Sequence, residues 1–435
     1  MSRLKALCSV LLALAIIVLP LPAPAYSVLT HEELIDLAWN DSIRPLLVSR
    51  FPRITEAELV DAHAYAYGGS AIQDMGYYPF GKQFFSNLTH YVRTGDFIAA
   101  LFRNAHSANE LAFAIGALSH YLGDNIGHSE CINPATAVEF PKLKRKYGEY
   151  VTYDESPHGH VRTEFAFDID QLNHHRLAPA AYLQHIGLKV PRVQVERAFY
   201  ETYGLHLREV LGPESPAIRS YRSSVRRFIP RFAHAEDVLH GNDFPPDVSD
   251  KAFEKFAADV QHADFQAHWA ARHKHPGFVT HVLAIVILII PKIGVLSDLA
   301  IRGPNRETEQ WYVRSVNDTM ARFREILRNL REQPDPAPIV LANRDLDTGD
   351  LVKPGAYRLT DQTYAELLRR ITAEPDRKVP YGIRRDLLAF YSNPNAPIAT
   401  KKNHKAWEHV QEDLATLHQM PLRERVEPGL VASDH

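Results

Sequence analysis

HYLGDNIGH, His120–His128, places two histidines and an aspartate at successive intervals of four. The run before it, ANELAFAIGALS (108–119), has apolar residues at helical spacing and no proline. That spacing predicts a buried amphipathic helix that continues into the motif. Four residues turn a helix by about 400°, roughly 40° past one full turn. His120, Asp124 and His128 therefore share one stripe. Three potential metal ligands that face one way point to a site.

A second segment sharpens the first. HVRTE places His160 and Glu164 four residues apart, so both can reach one ion from one helix face. Asp74, in IQDMGYY, and His90, in NLTHYV, each sit near an expected helix end, and His31 lies further upstream. Taken singly, each histidine reads as a core or surface residue. Taken together, H-x-x-x-D-x-x-x-H and H-x-x-x-E are hard to assign to packing. His158 competes with His160 for the same role but lacks an acidic residue four positions on.

Composition agrees with metal chemistry. The chain of 435 residues has 23 histidines but 2 cysteines and 4 methionines, which favours imidazole and carboxylate ligands over thiolates. A net charge of −3 gives no bulk basic character that would point to nucleic acid. At this length two or three domains are possible.

The first residues read as a secretory signal, 1–25. Arg3 and Lys5 supply the charged region, Ala6–Leu19 the apolar one, and Ala23-Pro24-Ala25 the cleavage site. The alternative, an uncleaved anchor, has an apolar run short of a full span. Cleavage would leave Tyr26 first and Cys131 as the sole cysteine, so no intrachain disulfide could form. The protein is therefore expected to be exported, to the periplasm or beyond.

Helical patterns dominate and few stretches alternate with period two, which predicts an all-α protein. Thr30 and Glu33 have capping-box spacing, so a helix is expected to start at about His31 and to end near Pro52. Another is expected in TEAELVDAHAYAYGG, stopped by Gly68-Gly69. The patterns continue through 84–105, 107–128, 159–172 and 307–333, with a turn-rich break at GYYPFG (76–81). QPDPAP (333–338) cannot be helix interior and reads as a linker. It separates a main helical domain, 26–332, from a smaller helical C-terminal region, 339–435, of unknown role.

The order His31, Asp74, His90, HYLGD, His128, HVRTE resembles the zinc-dependent phospholipase C family, which shares its helical fold with secreted single-strand nucleases. The resemblance covers most of 26–164. It implies a trinuclear zinc site. By position, one zinc would take Asp74, His90, His120 and Asp124. A second would take the α-amino nitrogen and carbonyl oxygen of Tyr26, together with His31 and the other oxygen of Asp124. The third would take His128, His160 and Glu164. Signal cleavage would then create a ligand. The resemblance also suggests Asp74 as the group that orients the attacking water or accepts its proton.

Two departures stand out. Tyr takes the place of the Trp usual at the mature N-terminus, where the ligands are backbone atoms. The gap from Asp124 to His128 is four, not six, similar to the branch of phospholipases D that cleave phosphatidylinositol anchors. The implied activity is a phospholipase C that acts on glycerophospholipids at a membrane surface. The alternatives are a single-strand nuclease, a phospholipase D-type lipid-anchor hydrolase, or a non-catalytic zinc-stabilised binding module.

Other signals are weaker. Tyr77, Tyr78 and Phe80 are candidates to wall a headgroup pocket, although aromatic residues beside Gly-Pro turns are commonly packed. The apolar run Val282–Ile290 reads as core, with a lipid-docking surface as the alternative. Arg219, Arg222 and Arg226 fall at helical spacing and read as a solvated face. NRDLDTGD (343–350) alternates oxygen ligands but lacks the glycine position and distal glutamate of a calcium loop, so it reads as a polar turn.

Overall fold

The apolar spacings become helices throughout the computed structural model, which describes residues 27–230, 233, 250–269, 303–333 and 339–423. Tyr26, the expected signal, the Val282–Ile290 run and most of the expected linker lie outside the described residues. Among the described residues there is no strand; only isolated bridges pair Arg344 with Leu351 and Val379 with Leu422. One apolar cluster runs from Val28 to Met420, so residues beyond 339 share a core with those before it.

Seven helices matter for the site: α1, Val28–Ala38; α2, Glu56–Ser70; α3, Gln83–Tyr91; α4, Ala108–Gly127; α5, Pro157–Asn173; α6, Arg306–Glu332; and α7, Arg358–Thr372. Helix α4 begins where the Ser107 side chain accepts from the Glu110 amide. It leaves through a π turn, His128–Ile132, into a further helix at Asn133–Glu139. Such wide turns recur at functional positions. The expected long helix over 84–105 is divided at Arg93, whose φ of 49° is left-handed.

The start of α1 differs from the capping-box reading. Helical structure already begins at Val28, and Thr30 and Glu33 are both buried. Thr30 Oγ1 donates to Asp168 Oδ1 at 2.7 Å, and Glu33 Oε2 accepts from the Tyr312 hydroxyl at 3.1 Å. The unsatisfied amides of this helix start are met instead by a carboxylate from α5. Leu29 N and Thr30 N donate to the two oxygens of Asp168, each at 3.1 Å. That is what an exposed helix N-terminus asks of a neighbour.

Gly68 and Gly69 do not stop α2; they lie inside its last turn. Their missing side chains let backbones approach. A Cβ on Gly69 would collide with the Phe113 carbonyl oxygen of α4, and a Cβ on Gly116 would collide with the Ala66 carbonyl oxygen of α2. This reciprocal close contact brings the end of α2 against the turn of α4 that carries His120.

Candidate metal centre

Five segments converge. Helix α4 presents His120 and Asp124, and His128 opens its π turn. Helix α5 presents His160 and Glu164, and α1 presents His31. A 3₁₀ turn, Gln73–Tyr77, brings Asp74, and α3 brings His90. All eight side chains are buried.

They form three groups whose ligand atoms all lie within 4.8 Å of one another: Asp74, His90 and His120; His31, His120 and Asp124; His128, His160 and Glu164. Asp124 stands between the first two. Its Oδ2 lies 3.0 Å from His120 Nε2 and 3.3 Å from His90 Nε2, and its Oδ1 lies 3.3 Å from His31 Nε2. Asp74 Oδ1 is 3.3 Å from His90 Nε2. In the third group Glu164 Oε1 is 2.9 Å from His160 Nε2 and 3.7 Å from His128 Nε2.

The imidazoles are held for ligation. His90 Nδ1 lies 2.7 Å from the Ser86 carbonyl, His120 Nδ1 lies 2.9 Å from the Ser70 carbonyl, and His128 Nδ1 lies 2.5 Å from the Leu346 carbonyl. A carbonyl can only accept, so each Nδ1 carries the proton and donates. Each Nε2 lone pair then faces the carboxylates, the arrangement a metal-binding histidine takes.

The donor set fits metal cations. Both carboxylate oxygens of Asp74, Asp124 and Glu164, and Nε2 of His90, His120, His128 and His160, are buried without a hydrogen bond. So many orphaned acceptors are costly unless a cation meets them. The same crowding shifts the ionisation of the groups. Burial alone would raise the Asp124 carboxyl, yet His120, His31 and His90 around it hold it well below the usual range. Burial pushes Glu164 well above its usual range, and the charges of Asp124 and Asp74 push it further. Burial, with the neighbouring His128, drives His160 well below the usual imidazole range, so it is a neutral ligand.

The neighbours of the ligands sort the weaker candidates. His158 is exposed and His160 is buried, so the second faces the site. The Tyr77 ring is 5.9 Å from that of His90 and 6.3 Å from that of Tyr153, and Tyr153 meets His160 edge-on at 5.9 Å. Tyr78 belongs to the apolar core, its ring 5.6 Å from that of Tyr221. Phe80 is 73% exposed, at a φ of 65° in the turn. Arg219 is exposed, whereas Arg222 and Arg226 are part-buried and donate to the carbonyls of Leu188 and Gln184. Tyr153 was not picked out in the sequence, because it lies in a loop with no periodic signal. NRDLDTGD is a polar turn, with Asp345 Oδ1 accepting from the amides of Asp347 and Thr348.

A family model described as zinc dependent phospholipase C matches residues 30–212, a span that holds all eight buried ligands. The matched segment belongs to the zinc-dependent phospholipase C family. Comparison with curated proteins and with solved structures finds no match. Zinc is thus the cofactor of this phospholipase C domain, and its three buried groups can form a trinuclear site. No helix among the described residues is long and apolar enough to cross a membrane.

Proposed function

We propose that this chain is an exported phosphodiesterase that cleaves glycerophospholipids as a phospholipase C, releasing diacylglycerol and a phosphorylated headgroup. The observation that carries the reading is the position of Asp124, with one oxygen facing His31 and the other facing His90 and His120, inside a segment of the phospholipase C family. Adjacent metal positions that share a carboxylate suit a reaction in which two oxygens of one phosphorus must be stabilised together.

Zinc bound there supplies the positive charge that neutralises the phosphate oxygens and acidifies a water molecule near pH 7. The remaining work belongs to the side chains. His90, His120 and Asp124 fix the spacing of the first two positions, and His128, His160 and Glu164 fix the third. Asp74 takes the proton of the attacking water as its oxygen bonds to phosphorus. The bond from phosphorus to the glycerol oxygen then breaks, and that oxygen takes a proton from solvent. Tyr77 and Tyr153 offer ring faces beside the ligands against which a headgroup can rest.

Two further features support parts of the reading. Ser27, which would be the second residue of the cleaved chain, is buried, and its carbonyl accepts from the His31 amide at 3.3 Å. This favours the α-amino group and carbonyl of Tyr26 as ligands once the signal is removed. A short helix at Pro141–Tyr147 exposes Lys142, Arg145 and Lys146, while Leu143 lies against Gly159, next to His160. A basic face beside the site favours contact with an anionic lipid surface.

The test is hydrolysis of phosphatidylcholine vesicles and of single-stranded DNA in parallel by the zinc-loaded protein. Diacylglycerol with phosphocholine supports the proposal. Phosphatidate with free choline would move the bond to that of a phospholipase D. Cleavage of DNA alone would make the protein a nuclease, and no hydrolysis of either would favour a binding module.

A further inference from the structure

The loop Asn343–Asp350 lies well beyond the matched family segment, yet it reaches the back of the metal centre. The Leu346 carbonyl accepts from His128 Nδ1, and the Leu346 amide donates to the His90 carbonyl at 3.0 Å. Asp347 is 3% exposed, and its Oδ1 stands 4.0 Å from His128 Nδ1. Its Oδ2 accepts from the hydroxyls of Tyr91 at 2.9 Å and Tyr357 at 2.6 Å. Its carbonyl accepts from Asn133 Nδ2 at 2.7 Å. Two residues of one loop thus touch α3, the π turn after α4 and the residue that opens the following helix.

The loop is itself braced. Asp345 Oδ2 accepts from Thr360 Oγ1 of α7, and Thr94 Oγ1 donates to the Arg344 carbonyl at 2.8 Å. Gly349 has a φ of 75°, and a Cβ there would press on the Asn125 carbonyl, one residue from Asp124. This is a built contact, held on both sides, that bonds to the ring of one ligand, His128, and only to the backbone of another, His90.

We propose that Asp347, acting with the Leu346 carbonyl, is a positioning residue that orients His128 for zinc, so that the C-terminal region completes the metal centre. A histidine ligand is fixed by the acceptor at its other ring nitrogen, and a buried carboxylate close to that nitrogen strengthens the imidazole as a ligand. The two tyrosine hydroxyls keep the Asp347 carboxylate from turning elsewhere. This inference stands on the metal site and not on the lipid reading, and its readout is zinc retention.

The experiment titrates full-length protein with a chromophoric zinc chelator and follows cobalt-substituted protein by absorption. Asp347→Asn keeps the shape and an oxygen that accepts from the tyrosines but removes the charge. One zinc should be released about 10–100-fold more readily, with Tm little changed and a shifted cobalt band. Tyr357→Phe removes one hydroxyl, and should shift the same zinc in the same direction by less. Should Asp347→Asn fail to fold, Tyr357→Phe carries the test alone. Unchanged zinc release in the variants that fold would overturn the proposal. So would loss of all zinc with a collapse of Tm in both variants, since the loop would then hold the fold and not one ligand.

Discussion

His31 and Asp124 meet at 3.3 Å, their side chains fully buried, although they enter from different helices and stand 93 positions apart in the chain. The same carboxylate faces His90 and His120 through its other oxygen. Asp124→Asn leaves a group of nearly the same shape with one anionic oxygen fewer. Zinc content should fall by at least one ion per chain, and kcat by more than about a hundredfold, beyond the roughly 10–100-fold typical of outer-shell changes. Elemental analysis and a vesicle assay on the same preparation check both. Full activity in this variant would remove Asp124 from the site.

Asp168 holds the entry of α1 with three hydrogen bonds, and so holds His31. Asp168→Ala strands the buried Leu29 amide, while Thr30 N keeps the Ser27 carbonyl at 3.0 Å, and should cost about 1–3 kcal/mol. Denaturant unfolding measures the loss. Zinc release from the position that includes His31 should quicken as well, whereas a purely local effect would leave release unchanged.

Much of the metal centre was legible because it is local. His120, Asp124 and His128, and likewise His160 and Glu164, are spaced by helical turns that any reader of periodicity can find. His31, Asp74 and His90 needed the family resemblance, since no short-range pattern joins them. The hold of Leu346 on His128 spans 218 positions and left no trace beyond two aspartates that read, rightly, as a turn. Thr30 and Glu33 misled for a related reason. Their spacing suits a capping box, but tertiary partners, Asp168 and Tyr312, took both side chains. Gly68 and Gly69 read as a stop because sequence cannot show a second helix pressing on them.

That close contact yields its own prediction. Gly116→Ala puts a methyl group where the Ala66 carbonyl oxygen of α2 lies, so the two helices must part. The cost should be about 1–3 kcal/mol. His120, one turn on, donates to Ser70 at the end of α2 and would shift with the helix. Tm should fall and zinc should leave faster, both relative to an exposed helix control such as Gln411→Ala.

Glu33 provides a pH signature. Burial raises its carboxyl to about 8, against the hydrogen bond from Tyr312, so it folds as a neutral acid. Its folded pKa exceeds its unfolded one. The folded state is thus favoured most below the ordinary value of 4.5, and this advantage is lost as pH rises through about 8. Glu33→Gln removes the proton linkage and keeps an acceptor for Tyr312. The Tm difference, variant minus wild type, should therefore grow from pH 5 to pH 9. A flat difference would mean that Glu33 is ionised in the fold.

Zinc removal should destabilise the protein, because buried carboxylates lose the cations that face them. At a zinc concentration a thousand times Kd, each site contributes about 4 kcal/mol. Dialysis against a chelator should lower Tm by several degrees, and added zinc should restore it. An unchanged Tm would mean that the buried groups satisfy one another.

The most direct test of the central claim is the zinc count of the purified protein, with elemental analysis of wild type and Asp124→Asn side by side. The account predicts about three ions per chain in the wild type and fewer in the variant. One ion or none in both, from protein that is folded and zinc-equilibrated, would contradict it.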